Sequence, residues 1–214
     1  MKLKMTDTKN TAIGWSRHAK SFADAANDLL IFRENEGDPY FHDPAVDFLC
    51  AHSLELALKG IICLTHQEAV DLKDDFGHHL LKAWDAAKAT ERGQTILECC
   101  QKSVNNFWKT KLRQLNDEWK QELTDYGVAD QDGFDVRTNY EIGEELPKLR
   151  DTVEWFNDLH NNTDNPLRYP KTTMIQRPIF TLAGKRLDIL APTALQSTFA
   201  ICRSIDSQVR NHPK

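Results

Sequence analysis

No apolar run in this chain is both uncharged and long enough to cross a bilayer, and no signal peptide is evident at its start. Cysteine is present in odd number, five, so the thiols cannot all pair. A reducing cytoplasm is the expected compartment. Cys50, Cys63 and Cys202 fall at apolar helical positions, where a reduced thiol serves as a small hydrophobe. A glycine-rich phosphate loop is missing, and Ser53 lacks the sharp strand-to-helix turn that exposes a nucleophilic serine. Metal-ligand spacing is missing as well. Cys99-Cys100 and His78-His79 are adjacent residues, which diverge by about 100° on a helix, and nothing nearby completes a four-ligand zinc set. Asp130-x-Asp132-Gly133 would place Val128 and Asn139 at the ends of a calcium loop, where neither fits. No metal or cofactor is expected. Excess positive charge is absent too: a net charge of −5 argues against indiscriminate binding to nucleic acid or membrane. Neither an internal repeat nor a low-complexity tract appears.

Helical periodicity is what the chain does have. Pro44–His66 places Val46, Leu49, Cys50, Ser53, Ala57, Gly60, Ile61 and Leu64 at steps of three and four. Leu54, Leu56, Leu58 and Ile62 widen that surface until one side alone is polar. There His52, Glu55, Lys59 and His66 share an arc of about 60°. A helix apolar over most of its circumference is packed on several sides, so this segment is expected to be the central one. Asp43 and Pro44 supply an N-cap and a first-turn proline.

Other segments arrange themselves around it. Residues 1–10 read as a flexible polar tail, and a helix follows from about Thr11 or Trp15 to Arg33, with Trp15, Ala19, Phe22, Ala26 and Leu29 as its stripe. A third helix spans about His78–Thr90 and is ended by Arg92-Gly93. A long fourth helix covers 94–125 through Leu97, Cys100, Val104, Trp108, Leu112, Leu115, Trp119 and Leu123, with Asn105-Asn106 as the place for a break. An acidic loop occupies 127–145. Pro147 opens a helix to His160, a small β-hairpin fits 174–190 around Ala183-Gly184, and a last helix covers Pro192–Val209. The expected fold is all-α: a single domain over 11–214, an antiparallel up-and-down bundle of five to six helices.

The order AHSLELALKGIICL, then GHHLLKAWDAA, resembles the signature of HEPN domains (higher eukaryotes and prokaryotes nucleotide-binding). Ala51, Glu55 and Lys59 match the second helix of that family, and Gly77, His78 and Leu80 match the start of its third. NPLRYP is similar to a later Arg-Tyr-Pro segment and gives Arg168, Tyr169 and Pro170. The likeness covers about 45 residues and this short stretch. It implies a helical bundle, often a homodimer, of the kind found in partners of nucleotidyltransferases, in defence systems and in RNA-cleaving toxins. The cleaving members carry an Arg-x4–6-His motif near the last helix. None of the eleven arginines here has a histidine at that spacing, which removes most support for ribonuclease activity.

His52, Glu55, Lys59, His78, Arg168 and Tyr169 are therefore the candidate binding residues, and no catalytic residue is assigned. Each has a bland reading. Glu55 and Lys59 at i and i+4 are ordinarily a solvated or structural ion pair, worth a few tenths of a kcal/mol. His78 at a helix start ordinarily caps or packs. Arg168, Arg177, Lys185 and Arg186, interleaved with Tyr169 and Phe180, suit RNA or a nucleotide, or simply a solvated hairpin. The leading expectation is a non-catalytic module that binds a nucleotide, RNA or a protein partner such as a nucleotidyltransferase. A divergent metal-independent ribonuclease and a helical interaction subunit with no small-molecule site are the alternatives.

Overall fold

A computed structural model describes residues 8–35, 44–66, 72, 76–126, 146–161, 179–182 and 185–211. These form α1 (Thr8–Asn35), α2 (Pro44–Thr65), α3 (Leu80–Lys88), α4 (Glu91–Asp125), α5 (Leu149–Asn161), β1 (Ile179–Leu182), β2 (Lys185–Asp188) and α6 (Leu190–Asn211). The fold is an all-α bundle with one antiparallel hairpin, in which Phe180 stands opposite Leu187. The Asp43 cap, the acidic loop, and Arg168, Tyr169 and Pro170 lie outside the described residues. Of the expected tail, residues 8–10 already belong to α1.

Helix α2 is central, as its wide apolar surface requires. Every residue from Ser53 to Ile62 is buried, and α1, α3, α4, α5 and α6 all pack on it. By length and hydropathy the helix would suffice to cross a membrane, and 72% of that stretch is buried inside the fold. Leu49 and Leu64 were expected inside but are only half-buried. They sit near the two ends of α2, where the cover thins.

The most extensive helix pair is α1 with α2, and its contact face corrects the expected stripe. Ala12, Ser16, Ala19, Ala23 and Ala26 are the buried residues of α1, while Trp15, Phe22 and Leu29 are partly buried beside them. Small side chains let the two helices approach closely, so the bulky ones flank the seam. Helix α6 packs on α1, α2 and α4, and it faces α2 through a polar contact. Ser53 donates to the Cys50 carbonyl at 2.8 Å and lies 3.2 Å from Thr198 Oγ1. Each hydroxyl thus has a partner in the dry interior, where an unpaired one would be costly.

Helix α4 runs unbroken through Asn105-Asn106. It begins earlier than expected because Thr90, not Gly93, marks the boundary. Thr90 Oγ1 accepts from the Gly93 amide at 3.0 Å, an N-cap bond. A Cβ on Gly93 would meet the Ala87 carbonyl at 1.8 Å, so glycine is needed there for the tight α3–α4 corner, not to stop α3. Further along, Gln101 reaches α5: its Oε1 accepts from the Leu149 amide at 2.7 Å. That bond satisfies one of the unpaired amides at the α5 N-terminus. Leu149, Val153, Phe156 and Leu159 of α5 are buried as their spacing predicts. All five cysteines are free thiols. Burial pushes Cys63 up to about 11 and Cys100 up to about 12, in keeping with inert packing roles.

Candidate functional site: a buried carboxylate between two histidines

The polar arc of α2 is not solvated. Trp15 and Phe22 of α1 approach it from one side, and the Phe76–His78 turn from another. Glu55 and Lys59 are left with side chains 2% and 7% exposed. They form a direct pair, Lys59 Nζ to Glu55 Oε1, at 2.6 Å. The spacing called for an i, i+4 pair and that pair forms, but inside the protein, where the few-tenths estimate for a surface pair no longer applies.

Two charges taken out of water must find several partners, or their desolvation outweighs their attraction. Both do. Lys59 also donates to the Gly77 carbonyl at 2.7 Å and lies 5.7 Å from the centre of the Trp15 ring, a cation–π distance. The second carboxylate oxygen, Oε2, is 3.1 Å from His78 Nδ1 and 3.5 Å from His52 Nδ1. Burial raises the Glu55 pKa, but contacts with His52, Lys59 and His78 outweigh it and bring the carboxyl down to about 2. Glu55 is an anion at neutral pH.

The turn that delivers His78 depends on Gly77, whose φ of 48° lies in the left-handed region that favours glycine. The turn is closed by His79 N donating to the Phe76 carbonyl at 2.8 Å. His78 does not cap α3: the N-cap position is His79, which makes no side-chain cap bond. Instead the His78 ring, 55% exposed, is tied by Nδ1 to a buried carboxylate. A carboxylate on one ring nitrogen fixes the orientation of an imidazole. His52 is held differently. Phe22 meets its ring edge-on with centroids 4.6 Å apart, and Phe48 stacks on it at 6.0 Å. His66, the fourth member of the arc, bonds the Ala86 carbonyl at 3.0 Å and joins the end of α2 to α3.

Of the six candidate binding residues, the structure brings together His52, Glu55, Lys59 and His78. Lys59 is an internal strut, not a group that faces a ligand. Four participants were missed, Phe48 stacked on His52 among them. Trp15 and Phe22 were read as core stripe, and only the α1–α2 packing shows that they close over the arc. The Gly77 carbonyl was missed because a backbone acceptor leaves no residue-type signal, although a glycine just before a helix start does hint at an unusual turn. The trio of imidazole, carboxylate and imidazole escaped notice for a related reason. Its third member comes from a different element, and adjacent-residue spacing cannot show that. Comparison with known proteins finds no matching family model, no matching curated protein and no matching solved structure.

Proposed function

We propose that this chain is a HEPN-like helical module that binds a nucleotide or RNA at the α2–α3 corner without cleaving it. The observation that carries this reading is the internal commitment of Lys59. Metal-independent phosphodiester cleavage requires groups that move protons and others that stabilise charge on the phosphate. At this corner the half-exposed His78, oriented by Glu55, is the candidate for the first task. Lys59 is buried against Glu55, Gly77 and Trp15, so it cannot approach a phosphate. What remains is an imidazole oriented by Glu55 on the Gly77 turn, suited to holding a phosphate or base edge by hydrogen bonding. Arg168 and Tyr169 are the proposed companions, for phosphate contact and base stacking.

A second reading has one observation in its favour. A histidine oriented by a buried carboxylate, as His78 is by Glu55, is the arrangement that general bases use. Incubation of wild type and His78→Ala with a labelled structured RNA, in the presence of a chelator, separates the readings. The expected outcome is saturable binding that weakens about tenfold in the variant, the worth of one hydrogen bond to a charged group, with the RNA intact throughout. Cleavage by wild type that disappears in a folded His78→Ala would replace the binding module by the divergent ribonuclease. Absence of both binding and cleavage, for RNA and free nucleotide alike, would leave the helical interaction subunit.

A further inference from the structure

We infer that His52, Glu55 and His78 form a binding site for a first-row divalent transition metal ion, with Zn2+ as a natural occupant. One donor atom from each of the three lies within 4.8 Å of the other two. Two nitrogens and one carboxylate oxygen are a set such ions accept, and the open positions they leave go to water or ligand.

Two of the three donor separations suit ligands of one ion, and binding would draw the two imidazoles, within 4.8 Å of one another, closer together. Ligands about 2.0–2.1 Å from a tetrahedral zinc stand about 3.3 Å from one another. Glu55 Oε2 is 3.1 Å from His78 Nδ1 and 3.5 Å from His52 Nδ1, values that bracket that separation. The His52 distance is long for a hydrogen bond but ordinary for two ligands of one ion.

The surroundings fit as well. Glu55 Oε1 is occupied by Lys59 at 2.6 Å, so Oε2 is the oxygen directed at the imidazoles. Lys59 thereby orients the carboxylate from behind, as groups bonded to metal ligands do. Its charge also offsets that of Glu55 and lowers the attraction for a cation. His52 and Glu55 are one turn apart on α2 and rigidly placed. His78 stands on the Gly77 turn with its side chain 55% exposed, which gives an ion a way in and leaves coordination positions on the solvent side.

The test uses the tag-free full chain, without nucleotide or RNA, so that its outcome is independent of the binding reading above. Co2+ is titrated in and followed by visible absorption and by equilibrium dialysis, and Zn2+ is then used to displace it. The expected result is a single saturable Co2+ per chain with bands of a nitrogen–oxygen environment and no thiolate charge transfer. His78→Ala and His52→Ala should each weaken uptake by roughly tenfold or more, and Cys99→Ser should leave it unchanged. His78 is exposed enough for its variant to fold even if His52→Ala does not. Lack of saturable uptake by wild type overturns the site. So does uptake that survives in His78→Ala, or uptake that is lost in Cys99→Ser.

Discussion

A carboxylate with 2% of its side chain exposed is costly to keep charged, and Glu55 stays charged because both of its oxygens are engaged. Removing one partner should therefore cost far more than a surface pair would. Lys59→Met is expected to lower unfolding free energy by about 3–5 kcal/mol, the range for a buried charge left without its partner, as read from urea melts. The same pair makes stability depend on pH, and the sign follows from the direction of the shift. The folded carboxyl titrates at about 2, below its ordinary 4.5. Its contribution is fully present above about 4.5 and is lost as pH falls toward 2, with a total on the order of 3 kcal/mol. In metal-free buffer, wild type should be more stable than Glu55→Gln at neutral pH, and that advantage should shrink steadily across the window. A constant difference between the two chains would mean that Glu55 is not held by its partners as an anion. Two tryptophans offer a matched comparison at the same scale. Trp108 Nε1 donates to Thr193 Oγ1 at 2.9 Å, whereas buried Trp84 Nε1 has no partner among the described residues. Replacement by Phe removes similar volume at both, so Trp108→Phe should cost about 1 kcal/mol more than Trp84→Phe. Equal costs in thermal melts would show that the Trp84 donor is satisfied from outside the described residues.

Elements differ in how much of their role their own sequence could reveal. The core stripes of α4 and α5 were legible, because Val104, Trp108, Leu112, Val153 and Phe156 keep a three-or-four step that only one face can absorb. The inward face of α1 was not, since alanine buries well but signals weakly, and the larger Trp15 and Phe22 drew the reading to the flank of the seam. In the same way, the polar arc of α2 was legible as an arc while its burial depended on partners from α1 and the Gly77 turn. Gly93 shows the limit for boundaries. A glycine after a helical run usually terminates it, but here the local geometry required a missing Cβ inside the first turn of the next helix. Gly93→Ala should therefore destabilise by about 1–3 kcal/mol or more despite the better helix propensity of alanine. Thr90→Ala should cost about 1 kcal/mol as a lost cap. Chemical denaturation of the two variants would reverse this assignment of roles if the order came out inverted. Along α2, Leu56→Ala and Ile61→Ala should each cost about 2–5 kcal/mol, and the half-buried Leu49→Ala distinctly less.

Over the whole molecule, the question left by the sequence is what covers α4, a helix of 35 residues and about 52 Å. An apolar stripe of that length must be buried by its own chain or by another. The first part is settled internally. Trp108 and Leu112 are 3% and 7% exposed, and among the described elements α6 provides the most extensive cover for α4, including the hydroxyl that Trp108 bonds. That half of the stripe needs no partner chain. Beyond Leu112 the helix changes character. Leu115 is half-buried, and Arg113, Gln114, Asp117, Glu118, Gln121 and Glu122 around it are exposed. A self-association surface, if it lies on α4, is thus confined to its last three turns, where Leu115 is flanked by exposed charged residues. We expect a homodimer joined through this end of α4, of a strength that dilution can reverse. Light scattering across micromolar concentrations should show the mass rising from one chain toward two. Leu115→Lys should hold it at one chain with little change in melting temperature, because Leu115 contributes less to the core than Leu112. A wild-type chain that stays monomeric at every concentration would assign the end of α4 to its own fold and remove the dimer.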